Sequence, residues 1–248
     1  MARRFRPAQR APWLALLAIL TSSQLAVGSN PYLEIPPVEE ATSSRAYHYA
    51  NLSDEEALLE LEERGIRYVH AKPPMPGVRL PIKLAGPLNG VTIRSTLPPE
   101  RRKDTFFDIM DARLALALDD FTRILYQHDV VELVHFTIYR PAPERVEDPN
   151  APQTRHPGGM AIDVGALRKR DGSWLSVGPH WPGAIGKKTC GQGGRRLEGD
   201  RGRELLSIVC EASDLRIFHY MLTPHFDEPH ADHLHLEIKA GVKWFLVN

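Results

Sequence analysis

The sequence has no surplus of either charge: 31 Lys and Arg stand against 31 Asp and Glu in 248 residues. A nucleic-acid binder needs a basic excess to neutralise phosphates, so the balance argues against that class. A disordered tail is also excluded, because 42% of the residues are hydrophobic. Cysteine is scarce. There are two, and their spacing is not that of a zinc ribbon, which argues against their being metal ligands. The apolar run at 13–20 (WLALLAIL) is too short for a comfortable membrane span, which needs about 20 residues. No internal repeat and no βαβ rhythm is visible, so an α+β fold with an antiparallel sheet and flanking helices fits better than a parallel sheet.

What is present begins with a basic N-terminus. Arg3, Arg4, Arg6 and Arg10 precede the apolar run, and the small-residue pattern Ala26-Val27-Gly28 follows it. This is the layout of a secretory signal peptide over 1–28, the alternative being an uncleaved anchor. Cleavage after Gly28 leaves 220 residues with 27 basic and 31 acidic side chains, a net charge of −4. Export to the periplasm or beyond places Cys190 and Cys210 in an oxidising compartment, where they can pair; the alternative is two free thiols.

Residues 29–75 read as a linker carrying one short helix. Ser53 and Glu56 form a capping box, Leu58, Leu59 and Leu61 an apolar face, and Gly65 a stop. Residues 76–248 form the main domain. Apolar steps from Phe106 through Met110, Leu114, Ala117, Phe121 and Leu125 predict a core helix over 104–127. Strands are expected at 91–93, 130–139, 160–167, 174–177, 218–222 and 234–239, and a helix at 203–213. The Gly-rich, basic stretch 178–202 reads as a mobile loop.

The chemistry concentrates in two segments, His156-Pro-Gly-Gly-Met-Ala-Ile-Asp163 and His230-Ala-Asp-His233-Leu-His235-Leu-Glu237. Alternation along a strand puts Leu234, Leu236 and Ile238 on one face and His233, His235 and Glu237 on the other. Asp163 likewise lies opposite Met160, Ile162 and Val164 in facing, and the Gly-Gly turn can fold His156 back towards it. Imidazole and carboxylate ligands suit Zn²⁺, and three protein ligands leave a fourth position for water, as a catalytic zinc requires.

These motifs resemble the metal signature shared by lysostaphin-related peptidoglycan peptidases, D-alanyl-D-alanine carboxypeptidases and the Hedgehog signalling domain. His230-x-x-His233-x-His235 is especially similar to penicillin-insensitive murein endopeptidases. The wider run, through Gly159–Val164, Asp171-Gly172, Ser176-Val177 and Pro229–Leu236, is closer still to the bacterial extensin-like C-terminal family, over roughly 53–240. The resemblance implies a Hedgehog/D-Ala-D-Ala-peptidase-like fold with Zn²⁺ held by His156, Asp163 and His235. It implies His233 as general base, or else as a residue that orients a ligand. His230 becomes a further acid/base or transition-state donor, or a structural residue. Arg140, after Tyr139, becomes a clamp for a peptide carboxylate, or a surface ion-pair member. Cys190 and Cys210 also match family positions. Relatives often carry Ser-Glu where this chain has Thr154-Arg155, a lost acid beside the site.

The expected function is therefore a secreted zinc peptidase cleaving peptidoglycan stem or cross-link peptides by metal-activated water. Nucleic acid is not an expected partner, and no stable membrane span is expected after cleavage. The alternatives are a zinc-bearing envelope binding module without catalysis and a structural envelope protein. His225 and Asp227 are expected to line the cleft. If the export signal is cut as read, N-terminal sequencing of the exported protein starts at Ser29; a chain retaining residues 1–28 refutes the cleavage.

Overall fold

The computed structural model describes residues 30–72, 75–143, 147–148 and 153–248, so the expected export signal lies outside the described residues. The described chain begins with β1 (Leu33–Glu34) and three short helices, α1 (Val38–Thr42), α2 (Arg45–Asn51) and α3 (Asp54–Glu63). Next come β2 (Tyr68–His70), β3 (Pro81–Leu84), β4 (Thr92–Ser95), α4 (Pro99–Arg102), β5 (Met110–Asp111), α5 (Ala112–Gln127) and β6 (Val130–His135). After a 3₁₀ turn at His156–Gly158 follow β7 (Ala161–Lys169), β8 (Trp174–Ser176), α6 (Val177–His180), α7 (Gly199–Asp214) and β9 (Tyr220–Leu222). A second 3₁₀ turn at Glu228–His230 leads into β10 (Leu234–Glu237), and β11 (Phe245–Val247) ends the chain.

The fold is mixed α+β, as expected. The main sheet runs β1-β11-β9-β10-β7-β6-β4, with β8 on β7, and β2-β3-β5 form a small second sheet. The expectation of a purely antiparallel sheet is corrected: β4 runs parallel to β6, and β11 parallel to β9. Both parallel pairs arise because long excursions separate their strands, α4 to α5 in one case and the β10 hairpin in the other.

Helix α5 is the axis of the core. Its residues are buried almost all round, because α2, α3 and α7 pack on it and β6 follows beside it. The charged residues on this buried helix are paired. Arg113 donates to Asp111 (2.8 Å), Asp54 (2.5 Å) and the Leu52 carbonyl (2.8 Å). Arg64 reaches Asp119 at 3.2 Å, and the Tyr49 hydroxyl donates to Asp120 at 2.5 Å.

The capping box at Ser53 forms as read, with Glu56 accepting from the Ser53 N–H at 2.7 Å. Three readings change. The segment read as a linker with one short helix carries two further helices, α1 and α2: Ser44 caps α2, and Ala46, Tyr49 and Ala50 bury against α5. The core helix starts at Ala112 rather than 104, because Met110–Asp111 pairs with β3 and Asp111 then caps the helix by accepting from the Arg113 N–H. Phe106, counted as its first core residue, is largely exposed. The stretch 178–202 is tied down. Cys190 and Cys210 form a disulfide, and Trp181, Thr189 and Leu197 are buried.

Two fully buried histidines stabilise the end of the chain in neutral form. His219 accepts from the Lys239 N–H at Nδ1 and donates from Nε2 to the Val242 carbonyl. His225 accepts from the Trp181 indole N–H at 3.2 Å. Burial pushes both imidazoles down to about 4 from 6.5, with the Arg195 charge adding to the effect at His225. Their neutral forms therefore stabilise the fold fully above pH 6.5, and that stability is lost as pH falls through 4. Unfolding free energy should decline between those values by up to about 1.4 kcal/mol per pH unit for each histidine. Denaturant titrations across this range check it; a flat profile refutes it. The disulfide closes a loop of 20 residues. Replacing both cysteines by alanine should cost about 3 kcal/mol in the same measurement.

Candidate metal centre

The site is built on the pairing of β7 with β10. Its register sets Asp163 opposite His235, between the apolar pairs Ile162–Leu236 and Val164–Leu234. Side chains alternate, so both apolar pairs face the core while Asp163, His235 and Glu237 share the other face. The alternation read from the sequence is therefore the one adopted.

His156 comes from the 3₁₀ turn. Its predecessor Arg155 has φ of 57° and its follower Gly159 has φ of 63°. Gly158 passes so close to the Gln153 carbonyl that a Cβ there would lie 2.1 Å from the oxygen. The turn closes through the Gly159 N–H to the His156 carbonyl, at 3.0 Å. It delivers the imidazole, almost fully buried, to Asp163.

His156, Asp163 and His235 each offer one ligand atom, all within 4.8 Å of one another. His156 Nε2 lies 3.1 Å from Asp163 Oδ1, and His235 Nδ1 lies 3.0 Å from the same oxygen. The outer ring atoms fix the tautomers. His156 Nδ1 is 2.8 Å from the Ile138 carbonyl, which can only accept, so this nitrogen carries the proton and Nε2 presents a lone pair. His156 Nε2 has no aligned hydrogen-bond partner despite its closeness to Asp163. His235 Nε2 lies 3.2 Å from Glu237 Oε2 and can donate to it, freeing Nδ1 to face the centre. Such outer-shell acceptors orient metal-ligating histidines generally.

The electrostatics fit a cation. Burial pushes the Asp163 carboxyl up, but the imidazoles of His156 and His235 beside it outweigh that and hold the group well below the usual carboxylate range. Burial pushes His235 down, but Asp163 and Glu237 outweigh that and raise it. The pocket thus already stabilises positive charge at the point where the ligand atoms converge. The donor set, two imidazoles and one carboxylate, suits zinc.

Two further histidines stand beside the three. His233 Nε2 is 3.6 Å from Asp163 Oδ1, and its Nδ1 is 2.9 Å from Asp232 Oδ1. Its ring meets Phe136 edge-on, with centroids 5.7 Å apart. His230 Nδ1 is 2.5 Å from Asp227 Oδ1, and its ring centroid is 5.1 Å from that of His233. Asp227 thus takes part in the site, but His225 does not line it: it is buried against Trp181 and Thr189. Arg140 is exposed and makes no ion pair or hydrogen bond with these residues among the described residues.

Alternation places Glu237 on the polar face but gives it no role. The structure makes it the acceptor behind His235, fully buried, with Arg155 Nε 3.6 Å away. The Ile138 carbonyl behind His156 carries no signal in the sequence, since any residue supplies one.

The comparisons add one finding. Residues 109–246 match the family model described as Extensin-like protein C-terminus. No curated protein and no solved structure matches the chain significantly. The matched stretch covers more than half of the sequence and contains all five site residues just described, so the chain belongs to the extensin-like protein C-terminus family.

Proposed function

We propose that the chain is an exported zinc-dependent peptidase that hydrolyses peptide bonds of peptidoglycan, with a zinc-peptidase fold of the Hedgehog/D-Ala-D-Ala-peptidase type. The observation that carries the reading is the convergence of His156 Nε2, Asp163 Oδ1 and His235 Nδ1, with both rings locked from behind by Ile138 and Glu237. A zinc ion held by these three residues would supply Lewis acidity, the capacity to acidify water and polarise a carbonyl.

The chain's own residues do the rest. Asp232 holds His233 by Nδ1, which leaves Nε2 facing the centre to accept a proton and return it to the leaving amine. Asp227 holds His230 by Nδ1 in the same manner, so its Nε2 can donate to a developing oxyanion once it has taken up a proton. Phe136, partly exposed against His233, forms an apolar wall for the peptide. Arg140, free of ion pairs among the described residues, supplies a fork for a peptide carboxylate. Its place of action is the cell envelope. Among the described residues no helix is long and apolar enough to cross a membrane.

A catalytically silent, zinc-bearing module is the second reading, and Arg155 is the observation that favours it. Its guanidinium draws on the same Glu237 carboxylate that orients His235.

Metal analysis of the exported protein should find about one zinc per chain, lost in His235→Ala. A metal-free wild type overturns the zinc reading. Incubation with purified sacculi should release peptide fragments, and His233→Ala should slow release by about 100-fold or more while keeping its zinc. Zinc without any release favours the silent module, and equal rates in the two proteins refute His233 as the base.

A further inference from the structure

A cavity of about 300 Å³ opens near the β4 edge of the main sheet, where β3, the segment after α4 and the end of β6 come together. Its lining holds four cations, Lys83, Arg94, Arg102 and Lys103, against one carboxylate, Asp108. Arg94 is engaged by Glu132. The other three have no carboxylate partner among the described residues. Lys83 donates to the Thr105 carbonyl and Arg102 to the Leu97 carbonyl at 2.6 Å, and neither contact neutralises charge.

His135 forms part of the wall. It is fully buried, and neither ring nitrogen has a hydrogen-bond partner. Asp108 Oδ1 lies 3.1 Å from its Nε2 but out of line, and this oxygen is unpartnered too. Ser95, opposite His135 in the β4–β6 register, has a buried hydroxyl in the same condition. Orphaned buried polar groups are destabilising, and native folds keep few of them. The register of β6 on β7 pairs His135 with Val164, so it faces the side of the sheet opposite to Asp163. The cavity is therefore separate from the candidate metal centre.

We propose that this cavity binds a phosphoryl group, gripped by Lys83, Arg102 and Lys103 and receiving a hydrogen bond from His135. One imidazole and one carboxylate among four cations do not make a metal site. A phosphoryl group brings negative charge and several acceptor oxygens, which match ammonium, guanidinium and imidazole donors together. The group can come from a soluble phosphate or from the head group of an anionic lipid.

Titration of the exported protein with inorganic phosphate at low ionic strength, followed by calorimetry, tests the site. Wild type should bind saturably. The double variant Arg102→Gln/Lys103→Gln, altered only at side chains at least partly exposed, should bind at least about tenfold more weakly. His235→Ala and Lys243→Gln should bind as wild type does. The absence of saturable binding, equal affinity in the double variant, or an equal loss in Lys243→Gln overturns the proposal. So does loss in His235→Ala, which would move the phosphate to the metal centre. Co-sedimentation with phosphatidylglycerol vesicles, set against phosphatidylcholine vesicles, separates the sources. Selective sedimentation that the double variant loses assigns a lipid head group. Phosphate binding without sedimentation assigns a soluble phosphate.

Discussion

The antiparallel register between β7 and β10 is the constraint on which the site depends. It holds Asp163 against His235 while burying Ile162, Val164, Leu234 and Leu236 on the reverse face. A slip of one residue would exchange the faces, driving a carboxylate and an imidazole into the core and four aliphatic chains out of it. The apolar side therefore sets the register, and the polar side inherits its geometry. Hydrophobic burial, which is non-directional, thus sets the placement of directional polar groups. The cost falls on the polar face, where Asp163, His235 and Glu237 are nearly or fully removed from water. Two buried carboxylates are tolerable only if positive charge accompanies them. The nearby Arg155 supplies some, and a divalent ion would supply the rest.

His156 has to be brought to this pair from outside the two strands. The segment beyond β6 does it. Phe136 donates to the Asp163 carbonyl at 2.9 Å, and Asp163 donates back to the Thr137 carbonyl at 3.0 Å. This off-ladder pairing carries the Ile138 carbonyl to where it meets His156 Nδ1. The backbone that flanks Asp163 thus also aims His156. On the far side, the His230 segment leans on the chain end: the Thr223 N–H donates to the Asn248 carbonyl, and the Asn248 amide donates to the His225 carbonyl. The helices take no direct part in the triad. They provide the apolar mass that the sheet needs behind it.

Much of this was legible because strand alternation is a local rule. His233, His235 and Glu237 could be placed on one face from their spacing alone, and Ser53 with Glu56 announced the start of α3. What escaped had non-local causes. Helix α2 lies in a stretch rich in Pro, Ser and Thr, and Tyr49 finds its partner Asp120 at a distance of 71 residues. The start of α5 was misplaced because Met110 fits a helical period and a strand equally, and only β3 decides between them. The parallel edges, β4 on β6 and β11 on β9, follow from chain routing, which leaves no mark in any one segment. Glu237 is the instructive case. Its facing was correct, yet its function appears only when His235 Nε2 is seen to need an acceptor.

The orphaned polar atoms connect these points. Among the described residues, the buried side-chain atoms without a hydrogen-bond partner belong to Ser95, Asp108, His135, His156, Glu237 and Asn248. Asn248 apart, they fall at two places, the candidate metal centre and the β4-edge cavity. A fold that satisfies its other buried groups, even Arg113 with three acceptors, has no structural reason to leave these unpaired. Local conflict of this kind marks positions where something other than folding shaped the sequence. The two places also differ in sign. Carboxylates from Asp163, Asp227, Asp232 and Glu237 gather around the histidines, whereas Lys83, Arg102 and Lys103 crowd the cavity. The balanced total charge of the chain thus conceals two local fields of opposite sign. On the two proposals each field would take a ligand of the other sign: a cation where the carboxylates converge, an anion where the lysines and arginine do.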